Sequence, residues 1–186
     1  MLPSLWEQKT FIEKAGGSEI LSQMWSFTDK GGREVCLIPE ATGVIQELWD
    51  DGFFKTGSGP QKPVRIFYEQ RCYRYERPQQ GRYREFTQFG VELLGFKNAA
   101  AAKAEAMAML RQCLEQARIG WEMDEKATRG LSYYVEDGFE ALAPCLGAQK
   151  QIAGGGAYKQ GVGFAIGLDR VALAQEIAEQ AAKKDP

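Results

Sequence analysis

Residues 65–95 concentrate side chains that could bind a polyanion. Pro78 and Gly81 interrupt the middle of this stretch and strand-like runs flank them, so the pattern predicts two strands joined by a loop. Guanidinium groups bind phosphate oxygens in pairs, and aromatic rings stack on a flat base. The stretch therefore indicates a nucleotide triphosphate site, although a solvated basic hairpin would have the same spacing. Six arginines occur in it: Arg65, Arg71, Arg74, Arg77, Arg82 and Arg84.

Three segments, in order along the chain, resemble the motifs of histidyl-tRNA synthetase, a class II aminoacyl-tRNA synthetase. Residues 73–92, with YRYERPQ followed by GRYREF, resemble motif 2. Residues 129–134, RGLSYY, resemble the histidine motif R-G-L-D-Y-Y, and residues 161–170, GVGFAIGLDR, resemble motif 3. The resemblance covers nearly the whole chain.

The resemblance implies an ATP site with Mg²⁺ as the accompanying ion. It assigns catalysis to Arg74, on the α-phosphate, and to Arg129, placed where other class II enzymes hold a metal. No metal-ligating residues are assigned within the chain. The full set of residues expected to bind ATP is Arg74, Glu76, Arg82, Arg84, Phe86 and Arg170. Phe86 and Arg170 would stack on opposite faces of the adenine, as an aromatic ring and a guanidinium can.

The resemblance also implies an amino-acid pocket. Gln88 and Glu92 lie four residues apart on a predicted strand and so share a face. In the family the glutamate contacts the imidazole ring of histidine. The residues expected to bind the amino acid are Glu40, Thr42, Gln88, Glu92, Tyr134 and Tyr158. For Glu92, a buried carboxylate with a partner is the minimum interpretation.

Four departures from the family pattern surround this pocket. Ile38 replaces an arginine, Ser132 an aspartate, and Ala157 an arginine, while Lys159 stands where an aspartate usually follows. Each change removes or reverses a charge. We also expect the motif 1 helix to be incomplete, the family's insertion domain to be absent between residues 118 and 129, and no anticodon-binding domain after the last helix.

The elements that position these residues can be predicted from pattern. Hairpins alternating with helices predict an α+β fold, an antiparallel sheet flanked by helices, as in the class II synthetase core. We expect residues 1–186 to form one domain. Helices are expected over 3–15, 41–50 and 98–118 and from about residue 168, with a glycine stop after the first at Gly16 and Gly17. Strands are expected at 24–28, 34–38, 131–135, 138–142 and 161–166 and on both sides of the arginine-rich loop.

Composition excludes some chemistry. The chain has no histidine, so histidine general-base catalysis and histidine–metal sites are impossible within it. Its four cysteines, Cys36, Cys72, Cys113 and Cys145, form no C-x-x-C pair and are expected to be free and mostly buried, as in a reducing cytoplasm. No signal peptide or membrane-spanning stretch is visible, and the net charge of −2 gives no general attraction to nucleic acid.

Two functional interpretations follow. The first is a minimal synthetase-like enzyme that binds ATP and an amino acid, histidine by resemblance, and forms an aminoacyl adenylate. Its acceptor would be tRNA, bound weakly, a small RNA or another protein, and a homodimer is compatible with it. The second is a non-catalytic, amino-acid-sensing subunit like the synthetase-like regulatory subunit of ATP phosphoribosyltransferase. The set of arginines favours the first, and the altered pocket favours the second.

Overall fold

An antiparallel sheet of six strands forms the centre of the computed structural model, which describes residues 2–15, 18–127 and 131–184. The strands are neighbours in the order β4-β5-β9-β8-β7-β6. Their bounds are β4 Val64–Tyr73, β5 Glu85–Leu94, β6 Glu122–Ala127, β7 Gly138–Leu142, β8 Gln151–Tyr158 and β9 Gly161–Gly167. The fold is therefore the expected α+β class, with flanking helices described next.

A small three-stranded sheet and three helices precede this sheet. The strands are β1 Leu5–Glu7, β2 Ser26–Thr28 and β3 Glu34–Leu37, in the order β1-β3-β2. The helices are α1 Gln8–Ala15, α2 Ser18–Ser22 and α3 Thr42–Asp50. Phe11, Ile38 and Val44, all fully buried, pack together in this part and hold α1 and α3 against β3.

The helix α4, Ala99–Gln116, covers one face of the large sheet. The Asn98 side chain caps it by accepting a hydrogen bond from the Ala101 N–H at 3.0 Å. Its buried residues recur every four positions, which places them on one stripe facing the sheet. They are Ala102, Ala106, Leu110 and Leu114, and they pack in one core with residues of β5, β7, β8 and β9. The last helix, α5, is Leu168–Lys184.

The predicted elements are largely confirmed, with three differences. Residues 5–7 form a strand rather than the start of a helix, because they pair with β3. Within 131–135 the described residues form a turn with a single bridge from Tyr134 to Tyr158, not a strand. The strands β6 and β8 and the short helix α2 were not predicted. The predicted glycine stop at residues 16–17 lies outside the described residues.

Two further expectations concern the state of the cysteines and the lack of a membrane-spanning helix. Among the described residues the four cysteines are free, as expected. Cys36 and Cys72 are buried, Cys113 is half-buried and Cys145 is exposed, so the expected burial is found for two of the four. Burial raises the pKa of the Cys36 and Cys72 thiols to about 12, which makes both unreactive as nucleophiles. In the described ranges no helix combines the length and apolarity needed to cross a membrane.

Candidate nucleotide and amino-acid site

A cavity of about 530 Å³ opens on the face of the large sheet opposite α4. The arginine-rich loop, residues 74–84, closes one side of it, and a 3₁₀ helix at Pro144–Gln149 with the start of β8 closes another. Of the predicted ATP-binding residues, five line this cavity: Arg74, Glu76, Arg82, Phe86 and Arg170. Leu131 of the histidine motif also lines the cavity, so the structure brings together residues from all three motifs, up to 96 positions apart in the chain.

Arg74 follows β4 directly and lies over the ring of Phe86, with its guanidinium carbon 5.2 Å from the ring centroid. Its Nε donates a hydrogen bond to the Pro39 carbonyl at 3.0 Å. These two contacts fix the guanidinium at the start of the loop while leaving further N–H groups for an anion. A guanidinium held in this way is preorganised for a phosphate oxygen.

Arg82 and Glu76 form an ion pair across the loop, in which Arg82 Nε donates to a Glu76 carboxylate oxygen. The Glu76 side chain is 10% exposed and the Arg82 side chain 35% exposed. The family resemblance assigns Glu76 to the adenine amino group of ATP and Arg82 to its terminal phosphates. For both to bind ATP in those roles, their ion pair would have to separate.

Arg84 lies outside the cavity, although it was predicted to assist there. Its guanidinium carbon is 4.7 Å from the ring centroid of Tyr75 and 5.8 Å from that of Trp25, on the outer surface of the loop. Its Nε donates to the Glu76 carbonyl at 2.9 Å. In this structure Arg84 therefore supports the loop from outside.

Arg170 lies in the first turn of α5 and makes three hydrogen bonds at the edge of the cavity. Its Nε donates to the Gly81 carbonyl at 2.6 Å, and its two terminal nitrogens donate to the Gln151 carbonyl at 2.7 Å and to Gln149 Oε1 at 3.2 Å. Burial lowers the pKa of this guanidinium, and the positive charge of Arg74 lowers it further. Because guanidinium hydrogen bonds lie in the plane of the group, its flat faces remain available for stacking.

A buried carboxylate cluster lies next to the cavity. Glu92 in β5 is fully buried, and both of its oxygens accept hydrogen bonds: from the Thr42 hydroxyl at 2.7 Å and from the Tyr158 hydroxyl at 2.6 Å. Burial raises the pKa of Glu92 to about 8, and the nearby Glu40 carboxyl adds to the increase. Glu92 is thus a partnered buried acid that binds a proton at neutral pH.

Glu40 is the second carboxyl of this cluster and is 4% exposed. It accepts hydrogen bonds from the Gly43 N–H at 2.8 Å and from the Tyr133 hydroxyl at 3.3 Å. Burial raises its pKa, while the Gly43 N–H and the charge of Arg74 act in the opposite direction. The proximity of Arg74 electrostatically connects this cluster to the cavity.

Glycines in the sheet make the space that this cluster fills. A Cβ atom on Gly163 would lie 1.6 Å from Glu92 Oε2, and one on Gly156 would lie 2.7 Å from the ring of Tyr134. The Tyr133 ring packs on Tyr134 and Tyr158 at centroid distances of 4.6 and 5.9 Å. The chain's own carboxylate and tyrosine rings therefore occupy the space beside β8 and β9.

The predicted amino-acid residues are consequently near one another but not all at the cavity. Glu40, Thr42, Glu92 and Tyr158 are buried, and Tyr134 is half-buried against them. Of the six predicted residues, Gln88 is the one that lines the cavity, and its side-chain oxygen accepts a hydrogen bond from the Cys72 thiol at 3.3 Å. Gln88 therefore lines the cavity while it is bonded to Cys72 of β4.

Two of the four sequence departures are buried. Ile38 is fully buried in the core around α1 and α3, and Ala157 is 3% exposed in the core of the large sheet. Ser132 is exposed. Arg129, the second predicted catalytic residue, lies outside the described residues.

Sequence reasoning missed several residues that line the cavity. They are polar side chains of β7, of the segment from the end of the 3₁₀ helix to the start of β8, and of α5: Glu140, Gln149, Lys150, Gln151 and Asp169. Asp169 precedes Arg170 inside the predicted motif 3, so its position was recognisable, and its carboxylate accepts a hydrogen bond from the Thr87 N–H at 2.6 Å. Glu140 lies in a strand that the pattern predicted, although nothing marked its side chain as lining a cavity, whereas residues 149–151 lie in a turn and a strand that were not predicted. No group of three or more acidic or cysteine side chains within the described ranges is arranged to hold a metal ion.

The family model for histidyl-tRNA synthetase matches residues 1–124 of this chain. The chain belongs to the histidyl-tRNA synthetase family. Among similar proteins, the histidine–tRNA ligase of Methanoculleus marisnigri is 28% identical over 267 residues, covering 89% of this chain and 64% of the ligase. That of Methanocorpusculum labreanum is 41% identical over 112 residues, covering 60% of this chain and 26% of the ligase.

The chain thus spans less than two thirds of the length of these two histidyl-tRNA synthetase relatives. The alignment with the first extends over 267 residues although this chain has 186, so the relative's aligned region contains residues without a counterpart here.

Solved structures show the same fold. A histidyl-tRNA synthetase of S. aureus superposes with a TM-score of 0.72 at 22% identity, over 96% of this chain and 60% of that one. A pyrrolysyl-tRNA synthetase of Desulfitobacterium hafniense gives 0.70 at 22% identity, over 95% and 60%. A Bacillus halodurans protein described as an ATP phosphoribosyltransferase regulatory subunit/histidyl-tRNA synthetase gives 0.68 at 18% identity, over 95% and 73%.

Proposed function

We propose that this chain binds ATP together with Mg²⁺ and forms an aminoacyl adenylate, with histidine as the amino acid. The observation that supports the proposal is the convergence of Arg74, Arg82, Arg170 and Phe86 on one cavity of about 530 Å³. Three guanidiniums and an aromatic ring suit a triphosphate attached to a flat base. We further propose that residues 1–186 act as one catalytic domain.

Adenylate formation makes modest demands on acid–base chemistry, which suits a chain without histidine. The amino-acid carboxylate attacks the α-phosphorus of ATP, a new P–O bond forms, and pyrophosphate leaves with its electron pair. The reaction is accelerated by alignment of the reactants and by donors aimed at the charge that develops on phosphate oxygens. Arg74, fixed by Pro39 and Phe86, is the described residue best placed to donate to the α-phosphate.

The remaining residues would hold the ends of the nucleotide. Arg82 would bind the terminal phosphates, and Phe86 and Arg170 would enclose the adenine. Arg129 is retained as the second catalytic arginine on the strength of the family resemblance. Mg²⁺, when bound with the nucleotide, supplies further neutralisation of phosphate charge. Glu140 and Asp169 line the cavity and could contribute carboxylate oxygens, but phosphate oxygens would have to complete the ligand set.

The amino-acid part of the proposal rests on the cluster beside Gln88. Glu40 and Thr42 would hold the α-amino group, and Glu92, Tyr134 and Tyr158 the side chain. Glu92 is fully buried, and Thr42 and Tyr158 already bond to its two oxygens, so an imidazole N–H would reach a remaining lone pair only if the packing around the carboxyl opened. We therefore expect weaker and less selective binding than in a complete synthetase.

The burial of four of the six predicted amino-acid residues, Glu40, Thr42, Glu92 and Tyr158, favours a second candidate function. This is the regulatory form of the non-catalytic subunit, which does not have to admit and activate an amino acid as an enzyme does. The name of the Bacillus halodurans structure includes such a regulatory subunit. In this alternative the chain binds a ligand without forming pyrophosphate.

ATP–pyrophosphate exchange with histidine distinguishes the two functions. Histidine-dependent exchange above a no-amino-acid control would support adenylate formation, and Arg74→Ala should abolish it. Arg71→Ala is the matched control, because Arg71 pairs with Glu85 on the solvent-exposed side of β4 and is absent from the cavity. Calorimetric ATP binding without exchange would support the second function. Absence of ATP binding at millimolar concentration in folded protein would refute the nucleotide site altogether.

Histidine and tRNA are the partners that the relatives' names suggest, and we propose them here with tRNA bound weakly. A homodimer working in the cytoplasm is compatible with the proposal. Sedimentation of the purified chain over a range of concentrations would test the dimer.

A further inference from the structure

One side chain, that of Arg170, is bonded both to the arginine-rich loop and to the 3₁₀ helix Pro144–Gln149. Arg170 donates to the carbonyl of Gly81 in the loop at 2.6 Å and to Gln149 Oε1 at the end of the 3₁₀ helix at 3.2 Å. Its third bond, to the Gln151 carbonyl at 2.7 Å, joins the same guanidinium to the start of β8. Three chain segments thus meet at one guanidinium on the rim of the cavity.

The loop also packs directly against Gln149. Gly81 has φ of +74°, and a Cβ atom built on it would lie 3.4 Å from Gln149 Cβ and 3.6 Å from Leu173 Cδ2. A side chain at position 81 would therefore be strained in its backbone, while its Cβ atom would make only ordinary van der Waals contact with Gln149. Glycine permits the positive φ at which the Gly81 carbonyl bonds to Arg170.

We infer that Gln149 is a positioning residue that holds the Arg170 guanidinium, and through it the Gly81 carbonyl, so that the loop 74–84 stays closed over the cavity. The side-chain oxygen of Gln149 is the one side-chain acceptor for Arg170 among the described residues, since its two other partners are backbone carbonyls. A backbone carbonyl is retained in every variant, whereas the Gln149 acceptor can be removed by substitution.

The physical reason is the geometry of the guanidinium group. Its donors lie in one plane and point in fixed directions, so three bonds determine its orientation completely. Losing the Gln149 bond would leave the plane free to rotate about its remaining contacts. Both the bond to Gly81 and the stacking face offered to the cavity would then be held less firmly. The identity of the ligand beneath the loop rests on the proposed function, whereas the closed position of the loop does not.

Trypsin provides a direct test, because Arg74, Arg82 and Arg84 in the loop are cleavage sites and Arg77 is protected by Pro78. Cleavage in the loop requires it to open, so the initial rate reports the open population. Gln149→Met keeps the length of the side chain and removes the acceptor. Gln149→Glu keeps an acceptor and adds charge. Gln175→Met, which removes an exposed bond to the Ala117 carbonyl elsewhere on α5, is the matched control.

We expect Gln149→Met to raise the initial rate of loop cleavage by about tenfold, as for loss of one hydrogen bond to a charged group. Gln149→Glu and Gln175→Met should be cleaved at the wild-type rate, and all four proteins should melt within a few degrees of one another. Wild-type cleavage of Gln149→Met, or equally fast cleavage of Gln149→Glu, would overturn the inference. Should Gln149→Met fail to fold, Gln149→Ala removes the same acceptor with a smaller side chain and should open the loop too.

Titration with ATP separates this inference from the proposed function. If the wild-type protein binds ATP, Gln149→Met should weaken ATP binding by about tenfold. The rate constant of any exchange reaction at saturating ATP should change little. If the wild-type protein binds no ATP while Gln149→Met still accelerates cleavage, the positioning role stands and the proposed function fails. If binding weakens without faster cleavage, Gln149 contacts the nucleotide instead, and the positioning role is refuted.

Discussion

Replacing Glu92 by glutamine should remove a large part of the pH dependence of this protein's stability. Glu92 is fully buried, and burial raises its pKa from an ordinary value of 4.5 to about 8. The groups that face it are the hydroxyls of Thr42 and Tyr158, the Glu40 carboxyl and the Tyr68 hydroxyl. None of these supplies a positive charge, so the buried site favours the protonated acid.

The sign of the effect follows from proton binding in the two states. Between about pH 5 and pH 8 the unfolded chain has released this proton while the folded chain retains it. Unfolding therefore releases a proton, and the free energy of unfolding falls as the pH rises through this window. Below it both states are protonated, and above it both are ionised, so no further change comes from Glu92.

The magnitude can be worked from the pKa itself. A change from 4.5 to about 8 corresponds to about 4–5 kcal/mol, at about 1.36 kcal/mol per pKa unit. Domains are commonly stable by only about 5–15 kcal/mol, so this loss would be a large fraction of the total. Glutamine is neutral at every pH and can still hydrogen-bond to Thr42 and Tyr158. The variant should therefore lose about 1 kcal/mol at acidic pH and exceed the wild type by several kcal/mol near pH 8.5.

Urea denaturation at closely spaced pH values measures this difference. Glu69→Gln is the matched control, because Glu69 is exposed on β4 and its carboxyl is hydrated in both states. The reasoning would be refuted if the stability curves of the wild type and the Glu92→Gln variant ran parallel from pH 5 to 8.5. A parallel result would mean that water or a structural adjustment solvates the carboxylate in the folded state.

Four further outcomes are expected. Arg74→Ala and Arg129→Ala should each lower pyrophosphate exchange by about 10²–10³-fold with little change in melting temperature, and wild-type exchange in either variant would make that arginine structural. Gly163→Ala should prevent stable folding, since its Cβ would lie 1.6 Å from Glu92 Oε2, while Gly59→Ala, which meets nothing within 4 Å, should melt like the wild type. Competition among amino acids should show weak, poorly selective histidine binding, and tight histidine-only binding would contradict this. Filter binding of tRNA should be weak and steeply salt-dependent at a net charge of −2, and sub-micromolar affinity at physiological salt would refute it.

Elements with a strong local pattern could be predicted from the sequence. The helix α4 combines an asparagine cap with a four-residue apolar repeat, and the strands β4 and β5 flank a clear turn signal. The strand β8 could not be predicted, because three of its eight residues, Gly154, Gly155 and Gly156, have low strand propensity. Its glycines are explained by contacts across the sheet: a Cβ on Gly155 would lie 2.3 Å from the Gly163 carbonyl oxygen. Local pattern contains no information of that kind.

The site could be predicted as a set of residues but not as an arrangement. Motif order identified Arg74, Phe86 and Arg170, which all line one cavity. It did not indicate that Glu76 and Arg82 pair with each other, because both had been assigned to a ligand. Nor did it indicate the bonds to Glu92, which join residues 50 and 66 positions apart. Such pairings depend on which side chains share an enclosed volume, and that follows only from the packed sheet.

Two of the sequence departures bear on the predicted amino-acid pocket. Ile38 and Ala157 stand where the family pattern has arginines, and both positions are buried in apolar cores. A guanidinium at either position would need water or an anion beside it, which would keep the neighbourhood polar. Leu93, Val162 and Ala157 are in register on the α4 face of the sheet, whereas Glu92 projects from the opposite face, so burial, and not the departure at position 157, explains the raised pKa of Glu92. Arg74, Arg82 and Arg170 line the cavity apart from this carboxyl, so the proposed nucleotide binding can be tested independently of amino-acid activation.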